Sequence, residues 1–198
     1  MLSIKTADPS TLISRIDSYA SSVLAPLRYE HSLRVAEMSR DLCLRFGLPP
    51  ESGFLAGLAH DMCKSGKEQW LLEIASSDNL PLSAIEADKP SLLHGRAAAV
   101  LLERDFGVAD RSILEAVRHH TFGHPELDAL GMIVFVADKI EPGRSGVSPD
   151  FRDIILRSDL LGMVRLVLED NIRYLTLRGK NVSPTTLAMF ANLQGRAS

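Results

Sequence analysis

The stretch Phe54-Leu55-Ala56-Gly57-Leu58-Ala59-His60-Asp61-Met62-Cys63-Lys64 decides how the rest of the chain is read. Six small or apolar residues run straight into a histidine and an aspartate, and a lysine follows three residues after the aspartate. The pattern predicts a buried helix over 51–62, and a carboxylate at its end needs a counter-charge or a metal. Neighbouring helical residues point about 100° apart, so His60 and Asp61 can share a cation only from a helix end that faces a cavity. The remaining ligands must come from other segments, and His31, His94, His120 and Asp138 are the candidates.

Working outward, helical spacing recurs nearly everywhere and strand alternation is missing, which predicts an all-α fold. A first helix covers 9–24, with Ile13, Ile16 and Val23 apolar. The next, 28–46, carries Leu27, His31, Val35, Met38, Leu42 and Phe46 at steps of three and four, one face of a helix with His31 inside it. Gly47 ends it and Pro49-Pro50 restarts the chain. A short helix spans 67–76 with Trp70, Leu71 and Ile74 buried. Residues 77–93 read as loop with at most one helical turn. His94-Gly95 opens a helix through Leu102, stopped by Gly107. Asp110 caps 111–120, whose face of Ile113, Ala116 and Val117 is extended by His120 and not by His119. Pro125 reads as the first residue of a helix over 126–140, in which Asp138 closes an inward stripe. Two further helices follow a Gly/Ser/Pro loop: 150–178, broken near Ser158, and 184–194, started by Ser183.

The chain of 198 residues fits one domain over 1–198, with a metal-site core at about 20–145 and C-terminal helices 150–198 packed on it. A net charge of -3 argues against a broad nucleic-acid or anionic-membrane surface, while leaving room for a local basic pocket. Cys43 and Cys63 form no C-x-x-C pattern and read as reduced, cytoplasmic thiols. The start, Met1-Leu2-Ser3-Ile4-Lys5, lacks the apolar run of a signal peptide, and no stretch approaches the roughly 18 apolar residues of a membrane span.

One histidine on an apolar face is most often a hydrogen-bonded core residue. Four such histidines, with two acids placed alike, outrun that reading. Imidazole and carboxylate donors suit iron, manganese or zinc. Six ligands with one shared carboxylate suffice for two divalent metals about 3.5–4 Å apart, with positions left for water and substrate.

The order of motifs is His31, then His60-Asp61-Met62-Cys63-Lys64, then His94-Gly95, then Val117-Arg118-His119-His120-Thr121, then Ala137-Asp138-Lys139-Ile140-Glu141-Pro142-Gly143-Arg144. This order resembles the HD-domain metal-dependent phosphohydrolases, and within them the bacterial YqeK family of symmetrical diadenosine-tetraphosphate hydrolases. The resemblance covers roughly 20–145. It implies a helical HD-domain bundle, with His31, His60, Asp61 and Asp138 on one metal and His94 and His120 on a second that Asp61 bridges. It also implies iron as the metal, and hydrolysis of a tetraphosphate bridge at its middle to give two ADP. Met62, Cys63, His119, His124 and Lys139 depart from the family's usual residues, which bears on base contacts and not on the ligand set.

A water bridging two metals has its pKa lowered toward neutrality and becomes a hydroxide nucleophile. Asp61 and Lys64 are the catalytic candidates, Lys64 stabilising phosphoryl charge or protonating the leaving phosphate. Lys64, His124 and Arg144 are the substrate-binding candidates, Arg144 through a planar fork of donors. Arg96 and Arg118 read as surface residues, and Glu141 as a partner of Arg144 or of a ligand histidine, or as solvated. The partners implied are a dinucleoside polyphosphate substrate and a nucleoside diphosphate product, with no nucleic acid and no membrane; a homodimer is left open. Besides an oxidative HD enzyme using iron and dioxygen, two other readings stay open on the residues alone. One is an HD-type phosphohydrolase acting on mononucleotides or cyclic nucleotides, and the other a non-enzymatic, metal-stabilised nucleotide-binding module.

Overall fold

Proline and glycine punctuate the chain as helix starts and stops, and acidic or hydroxyl side chains cap what lies between. The computed structural model describes residues 9–196, so the reading of Met1–Lys5 lies outside the described residues. Among the described residues the regular elements are all helical. They are α1 (Pro9–Val23), α2 (Pro26–Phe46), α3 (Pro50–Ala59), α4 (Glu68–Ala75), α5 (Ala84–Asp88), α6 (His94–Arg104), α7 (Arg111–His119), α8 (Ala129–Ile140), α9 (Pro149–Arg157), α10 (Leu160–Leu177) and α11 (Pro184–Arg196). Short 3-10 turns cover Ser76–Asp78 and Pro90–Leu93. The all-α expectation holds, and among the described residues no helix is long and apolar enough to cross a membrane.

Helix α8 lies at the centre. Ile133, Val134, Phe135, Val136 and Ala137 are all fully buried, as expected of a helix apolar all round. It packs against α2, α3, α7 and α10. Full burial of each large apolar side chain contributes about 1.5–3 kcal/mol, so α8 anchors everything attached to it.

Two glycines set the close approaches that build the site. A Cβ on Gly57 of α3 would stand 2.7 Å from Ala36 Cα of α2, so only glycine lets these helices touch backbone to backbone. A Cβ on Gly95 of α6 would meet the His120 ring at 3.0 Å, beyond the end of α7. The first approach brings His31 toward His60, and the second brings His94 toward His120.

Several boundaries differ from the sequence reading. Helix α8 begins at Ala129 and not at Pro125, because the Asp128 side chain accepts the Gly131 N–H at 2.8 Å and caps it. Helix α3 stops at Ala59, which leaves His60 and Asp61 in the turn just beyond it. The break expected near Ser158 is present, with Asp159 capping α10. Leu27 is not on the buried stripe: it is 79% exposed in the first turn of α2, where it lines a groove with Gly143 and Arg144. Val23 is exposed as well.

Arg96 and Arg118 are not surface residues either. Both converge on the buried carboxylate of Asp78, Arg96 through Nε and a terminal nitrogen at 2.9 and 2.7 Å and Arg118 at 2.9 Å. Arg96 also reaches Glu86, which forms a capping box with Ser83 at the start of α5. The segment 77–93, which holds α5 and the 3-10 turns on either side of it where the sequence suggested loop with at most one helical turn, is thereby tied to α6 and α7.

Candidate metal centre

Each ligand candidate reaches the centre from a different element. His31 comes from the first half of α2, His60 and Asp61 from the turn after α3, His94 from the first residue of α6, His120 from just past α7, and Asp138 from the last turn of α8. All six are at most 5% exposed.

The imidazoles share one arrangement. His60, His94 and His120 donate Nδ1–H to the carbonyls of Gly57, Ser91 and Val117, at 2.6, 2.8 and 2.8 Å. His31 donates from Nδ1 to Glu141 Oε1 at 3.1 Å. Every Nε2 is left to point inward, the tautomer a metal ligand requires.

Asp61 divides these nitrogens. Its Oδ1 faces His94 Nε2 at 3.0 Å and His120 Nε2 at 3.6 Å. Its Oδ2 faces His60 Nε2 at 3.6 Å and His31 Nε2 at 3.9 Å. Asp138 Oδ1 joins the second group, 3.1 Å from His31 and 3.6 Å from His60. His60 Nε2 is buried with no hydrogen-bond partner. Two sets, His31–His60–Asp138 and His60–Asp61–His120, bring ligand atoms close enough to hold an ion. An orphaned imidazole nitrogen among carboxylate oxygens fits a cation, and nitrogen and oxygen donors of this kind suit a divalent one.

The electrostatics agree. Burial alone would raise the Asp61 carboxyl, but the imidazoles of His60, His120 and His94 hold it well below the usual carboxylate range. Asp138 is likewise held down against burial, by Lys139, His31 and His60. Burial would lower His60, yet Asp61 and Asp138 outweigh it and raise the ring's pKa. Burial, with His60 and His94 nearby, pushes His120 down to about 3 against its bond to Asp61. The carboxylates thus call for positive charge, which a metal supplies in place of a proton.

A cavity of about 850 Å³ opens over this cluster. Its wall carries six basic residues (Arg28, Lys64, Lys89, Lys139, Arg144, Lys180) and three acidic ones (Asp61, Asp88, Asp138). A chain with a net charge of -3 therefore concentrates cations at one place, which suits a polyanion. Lys64 Nζ lies 3.1 Å from His94 Nε2 and 3.9 Å from Asp61 Oδ1. Burial lowers its pKa more than Asp61 raises it. Arg144 donates to Asp138 Oδ1 at 2.5 Å and to the Asp138 carbonyl at 2.7 Å. His124 does not line this cavity: it lies in the adjoining cleft, its ring 4.6 Å from that of His119.

Some residues of the site escaped the sequence reading, and others, Glu141 among them, were named there without a settled partner. Arg28 binds Asp61 Oδ2 at 2.9 Å, and Arg34 binds Glu141 Oε2 at 2.6 Å. Both sit three residues from His31 on α2, a helical spacing that could have found them. Lys139 binds Asp138 Oδ2 at 2.7 Å. Glu141 is 1% exposed, and its carboxylate spans His31 and Arg34 without touching the Arg144 side chain. Asn171, Lys180 and Thr186, from the C-terminal helices and the loop joining them, also line the cavity. No local pattern marks these last three, because most of the wall they complete is built from residues 28–144.

Comparison with known proteins agrees with the geometry. Residues 28–143, more than half the chain, match the model of the HD domain. The chain belongs to the HD-domain family. This HD-domain hydrolase is 28% identical to the symmetrical bis(5'-nucleosyl)-tetraphosphatase of Bacillus subtilis (strain 168), over 82% of the chain and 87% of the relative. Identity rises to 33% with the protein of the same name from Staphylococcus aureus (strain NCTC 8325 / PS 47), over 72% and 73%. The fold is similar to a crystal structure described as a predicted HD superfamily hydrolase involved in NAD metabolism, from Clostridium acetobutylicum. There the TM-score is 0.84 at 27% identity, over 92% of this chain and 97% of that one. The family expected from the motifs is the family found, and divalent metal binding goes with its His/Asp cluster.

Proposed function

We propose that this HD-domain hydrolase cleaves dinucleoside tetraphosphates symmetrically, diadenosine tetraphosphate giving two ADP, with two divalent cations bound. The observation that carries the reading is Asp61, whose two oxygens face two separate imidazole groups inside a cavity ringed by cations. His31, His60, Asp61 and Asp138 would hold one ion, and His94, His120 and the other oxygen of Asp61 the second. Iron is the ion proposed, and the donor set also suits manganese or zinc. The names of the relatives support the substrate. One domain over the whole chain is proposed, with the C-terminal helices completing the cavity wall.

Bound there, the two ions supply Lewis-acid charge and lower the pKa of a water toward neutrality. The protein's own groups do the rest. Arg28, Lys139 and Arg144 neutralise the polyphosphate and hold it, Arg144 as a planar fork. Oxygen from water bonds to one of the two central phosphorus atoms. The bond from that phosphorus to the central bridging oxygen breaks, and the departing ADP keeps the oxygen. Lys64 stands beside Asp61 and His94 with its pKa lowered by burial, which suits a group that gives a proton to the leaving phosphate.

Purified protein loaded with iron under reducing conditions should convert each diadenosine tetraphosphate into two ADP, resolved by anion exchange. AMP with ATP, or free phosphate, would overturn the reading.

A further inference from the structure

Of the further cavities that share lining with the one over the ligand cluster, two carry rings outside the ligand set, and a third, lined by Leu27 and Arg34, does not. One, of about 690 Å³, is walled by Leu80, Pro81, Leu82, His119 and His124, and it shares Leu92, Thr121, Phe122 and Ser183 with the central cavity. The other, of about 320 Å³, is walled by Val147, Phe151, Val167 and Tyr174, and it shares Lys139, Arg144 and Asn171 with the central cavity. The two side cavities have no lining residue in common, so each adjoins the centre by a different wall. Each exceeds the roughly 300 Å³ at which small-molecule pockets begin.

The centre carries an excess of cations, whereas each side cavity adds rings outside the ligand set, in the larger one beside opposed charges such as Arg96, Arg111, Glu103 and Glu115. Leu80, Leu82 and Tyr174 are 44, 47 and 48% exposed, and all three face these cavities. The rings of His119 and His124 lie 4.6 Å apart and are tilted by 31°, a paired aromatic surface at the wall of the larger cavity. Across the centre, Asn171 lines both the cationic cavity and the Tyr174 cavity, and its amide offers a donor and an acceptor. A charged middle with an aromatic compartment adjoining by two separate walls matches a ligand with a charged middle and a π-faced group at each end.

We infer that the His119–His124 cavity and the Phe151–Tyr174 cavity each receive one nucleoside of the substrate, so that the middle of the polyphosphate bridge lies over Asp61. The inference rests on the proposed reading and adds to it the residues that place the cut at the bridge centre. An off-centre bridge would leave one base outside its compartment. Stacking on an aromatic side chain is tolerant of base identity, so the arrangement selects for length and for two ends before it selects for adenine.

The test uses the iron-loaded full chain, the variants Tyr174→Ala, His124→Ala and both together, and two probes. Diadenosine tetraphosphate is the substrate and adenosine 5'-tetraphosphate, with one base, is the competitor. Each single variant should raise KM for the dinucleoside roughly tenfold, and the double variant roughly a hundredfold, with kcat changing far less. The one-base competitor can use whichever compartment remains, so its Ki should rise only about twofold in either single variant and roughly tenfold in the double. Tyr174→Phe, which keeps the ring, should restore KM. The inference is overturned if either single variant leaves KM unchanged, if one single variant alone raises Ki as much as the double, or if Tyr174→Phe behaves like Tyr174→Ala. Wild-type protein that releases no pair of ADP would remove the functional reading and this inference together, whereas two ADP with unmoved KM values would remove the inference alone.

Discussion

At the residue scale the site depends on which nitrogen of each histidine is tied back. Four Nδ1–H groups are committed to Gly57, Ser91, Val117 and Glu141, and the four Nε2 atoms face Asp61 and Asp138. Asp61→Ala removes the carboxylate common to both groups, and the variant is expected to lose bound metal per chain and all product formation. Lys64→Ala should keep its metal and slow turnover by roughly 10²–10⁴-fold, the usual worth of a positioned acid. Metal analysis alongside single-turnover rates separates the two, and loss of metal from the Lys64 variant would contradict the role given to it. Glu141→Gln leaves an acceptor near His31 but removes the charge that orients it, and metal affinity should fall roughly 10–100-fold with helix content unchanged. Titration of apo-protein with Fe²⁺, followed by its absorption, checks this. The ligand candidates were legible as residues because buried histidines and acids are rare on apolar stripes. Glu141 was half legible, since sequence could not choose between its two possible partners and a solvated state.

At the element scale the candidate ligands meet because helices without intervening Cβ atoms approach closely. Gly57→Ala places a methyl 2.7 Å from the α2 backbone, which cannot rotate away as a side chain could. Destabilisation of at least about 1–3 kcal/mol is expected, along with weaker metal binding as His31 and His60 separate; thermal melting with and without Fe²⁺ reads both. The segment 77–93 depends on charge instead of packing. Asp78 is 1% exposed at its side chain between Arg96 and Arg118, and Asp78→Asn should cost about 3–5 kcal/mol by leaving buried guanidinium charge unbalanced. Burial would raise the Asp78 carboxyl, but Arg96 and then Arg118 hold its pKa below the ordinary 3.8. Its contribution is therefore full above pH 3.8 and is lost as the pH falls through the lower folded value. The gap in melting temperature between wild type and Asp78→Asn should narrow only in that acid range. Sequence missed this strut because Arg96 and Arg118 look like solvated helix residues until the distant Asp78 is known to face them.

At the scale of the whole molecule, a mildly acidic chain sets six of its 22 Lys and Arg residues on the wall of one cavity, against three acidic residues there. Periodicity made the helices, and therefore the fold class, readable from residue types alone, since burial acts on every third or fourth position. The start of α8 was misplaced because an aspartate cap three residues after a proline competes for the same role. What could not be read was which helices enclose the cavity. Asn171 and Lys180 reach it only through the packing of α10 on α8, a long-range contact with no local signature.

Asp61 is proposed to join two cations within one cluster of six side chains. Crystals of the unmutated chain grown with Fe²⁺ and without chelator, measured at the iron absorption edge, test it directly. Two anomalous peaks are expected about 3.5–4 Å apart, each within ligand distance of a different Asp61 oxygen. A single peak, or a pair that Asp61 does not touch, would contradict it.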